Sequence, residues 1–234
     1  MALALNNFIG FETGGLEEAY SVSGAPVVQS TIVKSGNFAL ALPAGAEYSM
    51  EQVIDGTSDE LNARIISFKI YFVDTTPASK SWIFYAYNDD DLLLWDLAVE
   101  TDGDLIFTDS AASTVTVPAP FTSGKFHRID VFWEKRLPAV FELYIDGVSV
   151  ISENDRDLTE PGVLFYYTFA NTAGSIIYYD DLYCMSGASS VSDFLGPRTE
   201  VLGAFQNTVE DHTDQGSTLS VRSWSTTGNT PGVD

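Results

Sequence analysis

Through the first 185 residues, short apolar runs trade places with polar residues at a period of two. In Lys125-Phe126-His127-Arg128-Ile129-Asp130-Val131-Phe132-Trp133, that period puts Phe126, Arg128, Asp130 and Phe132 on one face. It puts His127, Ile129, Val131 and Trp133 on the other, taken here as the core face. Arg64 to Phe72 alternates in the same way for part of its length. Helical periodicity is almost absent. The runs rich in Val, Ile, Tyr, Phe and Thr predict strands at 8–12, 27–33, 37–42, 46–53, 63–74, 81–88, 92–100, 104–108, 113–117, 125–134, 139–145, 148–153, 162–170 and 175–185.

The punctuation agrees. Asp102-Gly103 and Asp146-Gly147 sit between apolar runs, where Asp-Gly tolerates the positive φ of a tight hairpin. Asn88-Asp89-Asp90-Asp91 reads as a charged hairpin tip, and Pro118, Pro120, Pro138 and Pro161 fall in connections. So many short antiparallel strands predict an all-β fold, an antiparallel β-sandwich of jelly-roll type over residues 1–186. From Ser186 the composition changes. A small, polar linker gives way to a Thr-, Ser-, Gly- and Asn-rich stretch with isolated apolar residues. Residues 187–234 are expected to be a C-terminal extended arm that orders against the sandwich, a second copy or a neighbour.

Charge narrows the partners. Eleven basic against thirty-three acidic residues leave a formal net charge of -22. Such a surface repels phosphate backbones and anionic bilayers, so neither nucleic acid nor membrane is an expected partner. No apolar run is long enough for a membrane helix, and the first eight residues lack the basic start of a secretory signal. The lone cysteine, Cys184, excludes an intrachain disulfide and reads as a small core residue.

Three segments together resemble the concanavalin A-like, laminin-G-type jelly rolls. The first is Gly10-Phe11-Glu12-Thr13-Gly14, followed by Lys34 to Leu40 with its Ser35-Gly36-Asn37 loop. The second is Phe126 to Val131 leading into Phe141 to Val148, and the third is Tyr178-Tyr179-Asp180-Asp181-Leu182-Tyr183. In several families of this fold the corresponding glutamate and aspartate hold Ca²⁺ together with loop carbonyls. The resemblance therefore implies a candidate calcium site at Glu12, Asn37 and Asp180 or Asp181, hard oxygen donors of the kind calcium takes. Adjacent strand residues face opposite ways, so only one of the two aspartates is expected to join it.

The arm opens with Asp193-Phe194-Leu195-Gly196-Pro197-Arg198. It resembles an F-L-G-D-h-R-h segment that follows such domains in tailed-phage structural proteins, with Pro197 in place of the acidic residue. Phe194, Leu195, Arg198 and Trp224 are its candidate docking residues. A virion protein assembled in the host cytoplasm needs no secretion signal. The resemblance thus implies a viral protein: a phage structural protein, a capsid decoration or a tail or tail-fibre component, acting by docking onto other virion proteins or further copies of itself as a homo-oligomer.

Catalytic chemistry finds little purchase. Glycoside hydrolysis needs two carboxylates about 5–10 Å apart. The E-x-D-x-E strand of glycan-cleaving relatives is absent, and Glu153-Asn154-Asp155-Arg156-Asp157 has the spacing only in a polar, turn-like stretch. Two histidines, His127 and His212, with one cysteine make no ordinary zinc site, and there is no G-x-S-x-G elbow. A non-enzymatic protein is expected. Trp82, Trp95 and Trp133 read as core. Tyr166-Tyr167 and Tyr178-Tyr179 are adjacent pairs, so one of each must face outward, where it could contact a glycan or a subunit. The alternative to a virion scaffold is accordingly a carbohydrate-binding adhesin for host glycans. An atypical glycoside hydrolase is the third reading.

Overall fold

The computed structural model describes residues 4–9, 11, 14–16, 19–52, 63–88, 90–134, 138–158 and 165–186. Among these the chain forms fifteen strands and no helix. They are β1 (Ala4–Ile9), β2 (Ser21–Ser23), β3 (Val27–Gln29), β4 (Ala39–Leu42), β5 (Ala46–Gln52), β6 (Ala63–Phe72), β7 (Ser81–Asn88), β8 (Leu93–Val99), β9 (Leu105–Asp109), β10 (Thr114–Val117), β11 (Phe126–Glu134), β12 (Ala139–Ile145), β13 (Val148–Arg156), β14 (Phe165–Asn171) and β15 (Ile177–Ser186). Most fall where the alternation predicts. The three-residue β2 was not foreseen, and β13 runs past its expected end at 153 because Phe141 and Ala139 continue to pair with Glu153 and Arg156.

Two antiparallel sheets result. One has the order β13-β12-β11-β6-β15-β4-β3, with β1 also paired to β15. The other has the order β10-β9-β8-β7-β14-β5-β2. Their inner faces meet in one aromatic-rich core. Phe68 of the first sheet stacks on Phe84 of the second at 5.4 Å, and Trp95 meets Phe141 edge-on at 5.2 Å. Burial of each such ring contributes about 1.5–3 kcal/mol. As the alternation predicts, Ile129, Val131 and Trp133 lie in that core, and Cys184 is buried with them.

The opposite face of the eight-stranded sheet is also closed off. Ile65, Phe132, Tyr183 and Met185 form a second, smaller apolar cluster there. Beside it, Arg128 Nε and Ser67 Oγ both donate to Asp130 Oδ1, at 2.7 and 2.6 Å.

Turn chemistry sets the registers. Asp146 and Gly147 have φ of 53° and 81°, the paired positive values of a two-residue hairpin. The Asp102-Gly103 connection is longer: only Gly103 is left-handed, and its N–H closes a four-residue turn on the Glu100 carbonyl. Gly24, at φ 67°, leaves no room for a side chain, since a Cβ would sit 2.6 Å from the Gly45 carbonyl oxygen.

Candidate functional site

The outer face of the seven-stranded sheet carries groups that packing alone does not call for. Its register places Thr114, Thr108, Asp96, Tyr85, Thr168, Ser49 and Ser21 opposite one another, strand by strand. One rung thus crosses all seven strands with a hydroxyl or carboxyl at every position. At ~4.8 Å between strands it spans about 30 Å. Ser49 and Thr168 share a hydrogen bond at 2.8 Å.

Across this rung runs a ribbon of aromatic rings. Trp82 stacks on Tyr85 at 6.5 Å and Tyr85 meets Tyr87 at 5.7 Å. Tyr87 stacks on Tyr166 at 4.9 Å, and Tyr166 on Tyr20 at 5.8 Å. Tyr20 is 61% exposed and the other four are half-buried. The Tyr166 hydroxyl donates to Asp91 at 2.9 Å, which ties the ribbon to the β7–β8 hairpin. Burial, then neighbouring negative charge, raises the hydroxyl pKa of Tyr85, Tyr87 and Tyr166.

Asp96 is the unusual member. Only 4% exposed, it lies opposite Thr108 and Tyr85, and its Oδ1 has no donor among the described residues. Burial pushes its carboxyl up to about 6, against the opposing pull of Lys80 and of the neighbouring Thr108 and Trp82. Lys80 itself lies 3.7 Å from Glu100 and 5.1 Å above the Trp82 ring.

Trp82 is a correction to the sequence reading, which put it in the core. The register between β7 and β8 shifts between Trp82 and Phe84, and the extra residue turns Trp82 outward. Of the paired tyrosines, Tyr167 and Tyr179 are core residues, and the Tyr179 hydroxyl donates to the carbonyls of Ile83 and Ala170. They are not contact residues. Tyr166 and Tyr178 face outward on different sheets; Tyr178 packs edge-on against Tyr71.

At the other candidate site the structure brings both aspartates to one loop. Asp180 accepts the backbone N–H groups of Lys34, Ser35 and Asp181, and the Ser35 hydroxyl donates to Asp181. The expectation that they face opposite ways fails because Asp181 has φ 49° in a bulge against β6. Burial and the adjacent Asp181 push Asp180 up to about 7. Asp180 is thus bonded to the loop, while Asp181 adds a second buried carboxylate beside the same loop, which also bears Asn37. Both carboxylates are hard oxygen donors of the kind calcium takes, but among the described residues no group of three or more His, Cys, Asp or Glu side chains gathers to hold a metal. Glu12 lies outside the described residues, as do the arm residues Phe194, Leu195, Arg198 and Trp224.

The remaining candidates are structural. Buried His127 joins Asp146 at 2.8 Å to the backbone of Thr122. Glu153, expected in a turn-like stretch, sits in β13 and pairs with Arg156 at 3.2 Å, which also reaches Asp109.

No known family's sequence pattern matches the chain, and no curated protein matches it. Solved structures do. The chain resembles the endo-beta-1,4-glucuronan lyase of the fungus Trichoderma reesei at 14% identity and a TM-score of 0.59, over 77% of this chain and 95% of that one. It resembles the cellulose induced protein Cip1 at 12% identity and 0.62, over 78% and 97%. The receptor binding domain of a botulinum neurotoxin C/D mosaic follows the same course at 15% identity and 0.53, over 74% of this chain and 43% of that one. These likenesses show the fold: an all-β, jelly-roll-like sandwich.

Proposed function

We propose that the protein is a glycan-binding β-sandwich that holds a polysaccharide across the outer face of its seven-stranded sheet, without cleaving it. One observation carries this reading: the Trp82–Tyr85–Tyr87–Tyr166–Tyr20 ribbon crosses an unbroken polar rung. Sugar rings present apolar faces to aromatic rings and hydroxyls at their edges, so the two features match the two surfaces of a glycan. The extended, shallow layout suits a chain better than a compact metabolite. Their raised pKa values keep Tyr85 and Tyr87 protonated near neutral pH, so neither stands ready as a general base, and Glu153 is bonded to Arg156, which favours binding over bond cleavage. We further place calcium at Asp181 and Asn37 as a structural ion, with Asp180 holding the loop. On a phage particle, the setting the arm's resemblance suggests, such a face makes the protein an adhesin.

Calorimetric titration with a panel of oligosaccharides tests the reading. Saturable binding that Tyr87→Ala abolishes is expected. Silence across the panel contradicts it, and release of new chain ends makes the protein an enzyme instead. Immunogold labelling of particles tests the virion setting separately.

A further inference from the structure

We infer that the ligand of this face is a polysaccharide bearing free amino groups, recognised through Asp96. The inference rests on the glycan reading above and adds the charge class of the sugar.

Three observations carry it. First, Asp96 is a buried carboxylate on the rung, and its Oδ1 has no donor among the described residues. The carboxylate's charge is thus only partly offset, and a cation brought against the neighbouring Trp82 and Tyr85 rings gains from it where a neutral hydroxyl gains little. Second, the aromatic ribbon lies in a negative field. Glu47 and Asp96 both act on Tyr85 and Tyr87, and Asp91 acts on Tyr87 and Tyr166. Third, the cation beside Asp96 is Lys80, which pairs with Glu100 and lies over the Trp82 ring. A uronate chain would meet three carboxylates here. The solved glucuronan lyase shares the fold, but this face has the wrong sign for its polymer.

The groups that face Asp96 are Tyr85 and Trp82 on its β7 side, Thr108 on its β9 side, and Lys80 just before β7. Glu47 and Tyr87 complete the charged and titratable surroundings. Binding of an amine should therefore weaken as acid protonates Asp96. At alkaline pH it should weaken again as the sugar loses its own proton.

The test is calorimetric titration of the full chain with hexasaccharides of glucosamine, glucose and glucuronic acid, at low salt and in a pH series. The glucosamine chain should bind at least tenfold tighter than glucose, and glucuronic acid should fail to bind. Added salt should narrow the first gap. Asp96→Asn should reduce the preference to threefold or less and remove the acid limb of the pH profile. Thermal melting of that variant checks that it folds, and Glu47→Gln should reduce the preference independently. Equal binding of glucose and glucosamine, unchanged in Asp96→Asn, overturns the amino-sugar inference but leaves the glycan reading standing. Tighter binding of glucuronic acid overturns it as well. Failure of all three chains removes both.

Discussion

The two sheets turn very different outer faces outward. On the eight-stranded sheet, the polar residues satisfy one another: Arg128 and Ser67 close on Asp130, Lys69 lies in register between Arg128 and Asp180, and an apolar cluster sits alongside. On the seven-stranded sheet, half-buried rings stack in a ribbon and one buried carboxylate oxygen lacks a donor among the described residues. Both faces are built on the same alternation of side chains. The difference lies in how the outward polar groups are arranged: closed on one another on one face, set beside stacked rings on the other.

The largest effect that separates the faces is on stability. Asp130→Ala strands buried Arg128 without its carboxylate, and breaking a buried pair in this way costs about 3–5 kcal/mol. Urea unfolding should show that loss, while the folded protein keeps its glycan affinity. Next comes calcium. At a hundredfold excess over its dissociation constant the ion should add about 2.7 kcal/mol, read as a rise in melting temperature that chelator reverses and Asp181→Asn abolishes.

Trp82→Ala acts on the other face. It should lower glycan affinity by about 2 kcal/mol, roughly thirtyfold, and change stability by about 1 kcal/mol or less. Asp96 adds a pH dependence. Its carboxyl titrates at about 6 in the folded chain against an ordinary value of 3.8. Its contribution to stability is therefore full below about 4 and lost as pH rises through 6. The drop in melting temperature between pH 4 and pH 7 should be smaller in Asp96→Asn. The smallest effect is expected at Lys125, 3.8 Å from Asp146 with both side chains largely exposed. Lys125→Ala should cost under about 0.5 kcal/mol, because Asp146 keeps its bonds to His127 and the Arg128 N–H.

The contrast between the faces also explains what the sequence could reveal. Period-two alternation needs no knowledge of distant partners, so most of the strands and the core face of β11 were legible from the residues alone, while the three-residue β2 was not. A bulge is different. The shift between Trp82 and Phe84 exists only relative to β8, so counting alternate residues put Trp82 in the core. The positive φ of Asp181 likewise brings two adjacent aspartates to one loop, against the ordinary strand rule. The polar rung depends on registers across seven strands, which no local pattern encodes. One local signal was present: Asp96 is a lone carboxylate in the apolar run Leu92-Leu93-Leu94-Trp95-Asp96-Leu97-Ala98-Val99. The Tyr85-Ala86-Tyr87 spacing, which sends both rings to one face, was another.

The central claim is that ligand binds the seven-stranded face and leaves the other alone. Titration of isotope-labelled protein with glucosamine and glucose hexasaccharides, followed by amide and indole NMR shifts, tests it most directly. The account predicts that the Trp82 indole N–H and the amides of Tyr85, Tyr87, Asp96 and Tyr166 shift together with one affinity, while Ser67, Arg128 and Asp130 stay still. Shifts centred on the eight-stranded face, or none at all, would contradict it.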